Sequence, residues 1–251
     1  MKLPMPLKRS YLAAGLLGAA LLSVLVSCSM TTVVSPFPAA AAPVTDRSAR
    51  LETTYDSLRN EGGRVMVLQA KESTIRIFAF RAGQAAKLGH NHVLSAPRFE
   101  GFFYLPAAGT ASARFDLEFR LDELRIDEPA IRSTLGPAFS SLLTAAAIEG
   151  TREHMLGPDN LEADRFPFVR IHSIGISGEA PKFAASVEVE LHGQKRVMVI
   201  PLSVDGLPDR LSVAGSFVLR QSDFGAKPYS VLGGLIAVQD DVVVEFQLSG
   251  S

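Results

Sequence analysis

The sequence predicts an all-β domain with one helical insertion, folded as an antiparallel β-barrel of about eight strands. Three observations predict it. "RFDLEFRL", residues 114–121, alternates without a break: Phe115, Leu117, Phe119 and Leu121 share one face, and Arg114, Asp116, Glu118 and Arg120 share the other. That is the period of a strand with one wet face. The same rhythm returns in "SVEVELHG" and in "DVVVEFQL" near the end of the chain. Finally, 47% of residues are hydrophobic, enough to fill a core and too many for a disordered chain.

The elements follow in order. Lys2, Lys8 and Arg9 precede an uncharged, Leu- and Ala-rich run from Tyr11 to Val26. The run is short for a bilayer span, which needs about 20 apolar residues, and reads as a signal-peptide core over residues 1–27. It ends in "LVSC", small residues before Cys28, which resembles a bacterial lipobox and implies lipidation of Cys28. Ser29 after the cysteine points to the outer membrane, facing the periplasm. Cys28 is the only cysteine, so no disulfide can form within the chain. Residues 28–63 form a tether: "MTTVVSPFPAAAAPVTD" is rich in Pro, Ala and Thr. "RSARLETTYDSLRNEGG" can add a short helix ended by Gly62 and Gly63.

The barrel is expected over residues 64–251. Besides the three alternating runs, strand candidates are 64–70, 74–81, 98–104, 168–173, 195–204 and 211–220. The segment from about 128 to 160 breaks the rhythm with Ala- and Leu-rich sequence at weak 3–4 spacing. It predicts helices interrupted at Gly136-Pro137 and Gly150. Eight or nine such strands fit a sandwich or a barrel, and closure removes exposed edges. An eight-stranded barrel can hold one small ligand in its lumen.

Function classes can be narrowed. The net charge is −1 with no basic run, and loss of the first 27 residues takes it to −4, so nucleic acid is not an expected partner. No nucleophile elbow, phosphate loop, dinucleotide fingerprint or HExxH is present. Asp122/Glu123 and Asp240/Asp241 are chain neighbours, which point to opposite faces of a strand and cannot form a carboxylate dyad there. His172 has the outward parity of its strand, His154 sits near a helix end where its cation suits the dipole, and His192 precedes Gly193 at a hairpin.

"LGHNHVLS" carries the most pointed question. His90 and His92, two apart, share a face if the segment is a strand. Zinc needs three or four ligands, and only His154 and Glu153 offer themselves as the remainder. The other readings are a tight connection, with Gly89 and Asn91 as turn residues, and a polar cluster at the barrel mouth that touches a ligand head group.

Several segments resemble one family in order and spacing. These are "STIRIFAF", "RFEGFF", "TREHMLGPDNLEADRFPFVRIHS", "VELHGQKRVMVIPLSV", "RQSDFG" and "VQDDVVVEFQL". Together they resemble the YceI-like family of periplasmic lipid- or polyisoprenoid-binding proteins. The resemblance implies an extended lipocalin-like barrel, an isoprenoid lipid or quinone in the lumen, no resident cofactor and no enzymatic activity. Two departures stand out: Gln221 occupies the family's usual Arg position, and the segment 128–149 is longer than the common form. With inward parity apolar, the expected ligand wall is Ile75, Ile77, Phe99, Phe103, Phe115, Leu117, Phe119, Val169, Ile171, Val187, Val189, Phe217, Val244 and Phe246, with His90 and His92 at the head group. Two alternatives remain at this point: a metal-dependent enzyme built on His90 and His92, and an envelope interaction module with a filled barrel.

Overall fold

The structure, a computed structural model, describes residues 45–251, with side chains from Arg50 onward. The signal sequence, Cys28 and the Pro/Ala-rich tether lie outside the described residues. Every strand anticipated from alternation is present. They are β1 (Gly63–Val67), β2 (Thr74–Ala82), β4 (Glu100–Pro106), β5 (Arg114–Arg120), β7 (Phe168–Glu179), β8 (Lys182–Leu191), β9 (Gln194–Asp205), β10 (Leu211–Arg220) and β12 (Ile236–Gly250). Three short strands complete the set: β3 (His92–Ser95), β6 (Arg125–Ile126) and β11 (Ser230–Val231). Runs of two to four residues are too short to show a period.

All ladders are antiparallel, in the order β1-β4-β5-β7-β8-β9-β10-β12-β2-β3-β6, with β11 beside β12. The described residues form one curled antiparallel sheet of twelve strands, more than the eight or so expected. At one end Val67 and Ser251 exchange backbone bonds of 2.9 and 3.2 Å, so the end of β1 meets the end of β12. Between β5 and β6 no ladder forms among the described residues. The carbonyls of Asp122 and Leu124 there accept hydrogen bonds from Arg152, at 3.2 and 2.6 Å, in place of a neighbouring strand.

The β8–β9 hairpin turns on His192 and Gly193, both with positive φ (50° and 68°). This is the backbone of a two-residue hairpin loop that follows the strand twist. A Cβ at Gly193 would also fall 2.5 Å from the Phe166 ring, so glycine is required twice over. The hairpin role of His192 is as the sequence suggested. His172 is exposed on the outer face, 2.7 Å from Asp116, as its parity required.

The helices occupy three places. α1 (Thr45–Arg59) buries Tyr55 and Leu58 against Tyr104, Val65 and Phe102 on the outer face of β1 and β4. Tyr55 stacks on Phe102 at 5.0 Å and donates its hydroxyl to Asp116 at 2.8 Å. Both anchors belong to the stretch assigned to the tether from sequence. α2 (Pro129–Arg132) and Phe139 pack with Phe78 and Val93 on the outer face of β2 and β3. α3 (Ala145–Leu156) starts at Thr144, whose hydroxyl accepts from the Ala147 amide at 3.1 Å. The anticipated break at Gly136 is real, with φ at 75°. The one at Gly150 is not: Gly150 lies inside α3, because a lone glycine costs a capped helix only about 1 kcal/mol.

Burial, then proximity to Asp116, pushes the Tyr55 hydroxyl well above its ordinary pKa. A raised folded-state value means that this contribution is complete below the unfolded tyrosine value, about 10, and declines as pH rises past it. Loosening of α1 above about pH 10, read by hydrogen exchange, is expected for the native chain and should be absent from the pH profile of Tyr55→Phe.

Candidate functional site

The curled sheet encloses a cavity of about 850 Å³, within the range of small-molecule sites. Strand parity builds its wall. β2 contributes Ile75, Ile77 and Ala79; β5 contributes Phe115, Leu117 and Phe119; Phe103 enters from β4. Val169 and Ile171 of β7, Val189 of β8, Phe217 of β10, and Val244 and Phe246 of β12 complete the sequence-derived set. Two of the apolar residues expected there stand elsewhere. Phe99 precedes the first residue of β4, so strand parity does not govern it, and it packs against the main core. Val187 has the inward parity, but core neighbours cover it completely.

One face of α3 closes over the cavity. Ala147, Gly150, Thr151, His154 and Met155 line it at the spacing of a single helical face. Three of the five are Ala, Gly or Thr, and a Cβ at Gly150 would meet nothing within 4 Å. His154 therefore does more than end a helix: its ring lies 4.9 Å from that of Tyr229, also a lining residue. Gln221 lines the cavity too, with its amide nitrogen donating to the Gln239 carbonyl at 2.9 Å. Its neighbour Arg220 pairs with Asp241, and is exposed.

His90 and His92 part company. His90 lies ahead of β3 in irregular backbone, outside the cavity wall, so the shared-face expectation fails for want of a strand. His92 opens β3 and lines the cavity together with Leu94, while Val93 faces the outer cluster. Ala79 pairs with His92 on one side and with Val242 on the other.

Behind His92 stands a buried polar network absent from the sequence reading. His92 Nδ1 is 2.6 Å from Asp127 Oδ2. Asp127 Oδ1 accepts from the Val93 amide at 3.0 Å and from Arg132 Nη1 at 2.6 Å. The Asp127 side chain has no exposure and that of Arg132 has 7%. Arg132 also donates to the Asn91 carbonyl at 2.8 Å and to Ser141 Oγ at 3.0 Å. Asn91 bridges the Arg81 amide and the Ala138 carbonyl, both at 3.0 Å. Burial opposes ionisation of Asp127. The hydrogen bonds from His92, the Val93 amide and Arg132 outweigh it and hold its pKa below the usual carboxylate value. Among the described residues no group of three or more His, Cys, Asp or Glu side chains could hold a metal ion, so His154 and Glu153 do not complete a site with His92.

Among the described residues no helix is long and apolar enough to cross a membrane. No curated protein matches the chain. Among solved structures it is similar to Burkholderia cenocepacia BcnA, with 12% identity, a TM-score of 0.53, and coverage of 73% of this chain and 99% of that one. A second is a polyisoprenoid binding domain from Saccharophagus degradans implicated in plant cell wall breakdown, with 14% identity, a TM-score of 0.49, and coverage of 74% and 97%. A Campylobacter jejuni YceI protein follows, with 11% identity, a TM-score of 0.44, and coverage of 62% and 82%. At these identities the likeness to BcnA speaks for the fold alone. The model of the YceI-like domain matches residues 70–250, most of the chain, and the protein therefore belongs to the YceI-like domain family.

Proposed function

We propose that the chain binds or carries an isoprenoid or similar amphiphilic lipid inside the curled sheet. The observation that carries this is the cavity, about 850 Å³ and walled chiefly by Leu, Ile, Val and Phe. Each CH₂ taken from water is worth about 0.8 kcal/mol, so twenty carbons bring roughly 16 kcal/mol before association costs of about 4–15 kcal/mol. A long chain is needed to win clearly, and a long chain is what the wall suits. Family membership supports the same reading, and it disfavours both a filled-barrel interaction module and an enzyme built on His90 and His92.

The sequence in front of the domain supplies the setting: a signal segment, Cys28 as the lipidated residue and Ser29 behind it propose attachment to the outer membrane on the periplasmic face. Organic extraction of the natively purified protein followed by mass spectrometry is expected to release a polyprenyl lipid or a quinone. An extract with no lipid, from a protein that also fails to take up a fluorescent polyprenyl probe, would sink the carrier reading. Cys28→Ala should move the protein from the membrane fraction to the soluble periplasm. If the variant still sediments with the outer membrane, the lipid anchor is wrong.

A further inference from the structure

We infer that His92 offers a hydrogen-bond acceptor to the cavity, and so selects apolar chains that end in a hydroxyl over those that end in an ether, an aldehyde or a quinone carbonyl. This rests on the lipid-binding reading above and names the chemistry of the head group. The reasoning is one of proton placement. Asp127 is an ionised carboxylate and can only accept hydrogen bonds. It lies 2.6 Å from His92 Nδ1, so Nδ1 carries the proton. Arg132, 2.6 Å from the other carboxylate oxygen, already balances the Asp127 charge. Nε2 then keeps its lone pair. Among the described residues no group bonds Nε2 and no buried side-chain nitrogen lacks a partner, so Nε2 is an accessible atom of a cavity-lining side chain.

Other polar groups of the lining can also accept. Gln221 gives one amide proton to the Gln239 carbonyl and Asn160 gives one to the Lys227 carbonyl at 2.6 Å, so each offers a ligand its oxygen as well as a second N–H. Asp159 adds a carboxylate at the exposed rim. Lys227, also exposed, is the one lysine or arginine among the described residues of the lining, and an anionic head group would answer to it. A phosphorylated chain is therefore the sharpest competitor to a neutral hydroxyl.

The test uses three probes with one tail: geranylgeraniol, its methyl ether, and its diphosphate, titrated at pH 8 into delipidated protein. The alcohol is expected to bind about tenfold tighter than the ether, the worth of one hydrogen bond in a dry site. His92→Phe should bring the two to within about twofold of each other. Asp127→Asn should erase the preference, since the ring would then donate and alcohol and ether oxygens both accept. The introduced amide would donate to Nδ1 and move the ring proton to Nε2, the tautomer reversal known from the same substitution in serine-protease triads. Failure of all three probes to bind refutes the lipid-binding reading itself. Binding of alcohol and ether with equal affinity, or a diphosphate that outcompetes both and keeps that advantage in His92→Phe, overturns the His92 inference and leaves the carrier reading standing. Because Asp127→Asn loses charge in a buried network, the native protein supplies an independent readout. A long-range ¹H–¹⁵N spectrum of the histidine rings must show His92 protonated at Nδ1 and bare at Nε2. A ring bare at Nδ1, or protonated at both nitrogens, contradicts the assignment.

Discussion

Asp127→Ala is expected to destabilise the domain by about 3–5 kcal/mol, the cost of leaving one member of a buried ion pair without its partner. Arg132 would keep its guanidinium behind β3 with only the Asn91 carbonyl and Ser141 to receive it. The His92 ring would lose the group that fixes it, and the Val93 amide its acceptor. At about 2–4 °C per kcal/mol for a domain of this size, the melting temperature should fall by about 6–20 °C. Urea denaturation monitored by far-UV circular dichroism checks this; a loss under 1 kcal/mol would show that the network contributes little. The acid limb carries the same information. Asp127 has a lowered folded-state pKa, so its contribution is present above the unfolded aspartate value, about 3.9, and is lost as pH falls through the lower folded value. The native protein should therefore lose stability below about pH 4 more steeply than Asp127→Ala.

Gly150→Trp is expected to abolish lipid uptake and leave the fold intact. Gly150 lies on the face of α3 that covers the cavity, its backbone is helical, and a Cβ there points into open space. An indole from that position would occupy the room in which an apolar chain must lie. Tryptophan is a better helix former than glycine, so helix propensity does not oppose the change. Stopped-flow uptake of a fluorescent polyprenyl probe should fall by at least about tenfold, the factor that 1.4 kcal/mol of lost affinity produces. Gly150→Ala is the control: it should bind the probe as the native chain does and gain about 0.5–1 kcal/mol of stability. Uptake by Gly150→Trp at the native rate, with normal circular dichroism, would mean that the ligand does not pass or rest beneath α3.

Much of this molecule is legible one residue at a time. Alternation identifies a strand because side chains on a pleated backbone must point to opposite faces in turn, so the 114–121 run announces both its conformation and its inward set. Phe115, Leu117, Phe119, Ile75 and Ile77 reach the cavity wall for that reason alone. The His192-Gly193 hairpin is equally local, since both residues must take positive φ. Where local pattern is thin, the reading falters. Parity fails for Phe99, because β4 begins one residue later, and for His90, because only His92 of the pair is in β3.

The β class, the inward and outward sets, the helical interruption and the apolar character of the wall are legible along the chain, because each follows from the period or chemistry of adjacent residues. Only the folded chain shows that twelve strands join one curled sheet, that α1 and α2 cover its outer face and that α3 covers the cavity. It also decided the meaning of the histidine pair. Asp127 and Arg132 stand 35 and 40 residues beyond His92 and carry no motif. They meet it because the ladder of β3 with β6 places Asp127 behind the ring, and α2 then returns Arg132 to the same carboxylate. Long-range pairing of this kind has no period along the chain; it is fixed only when buried polar groups must find partners inside a packed fold.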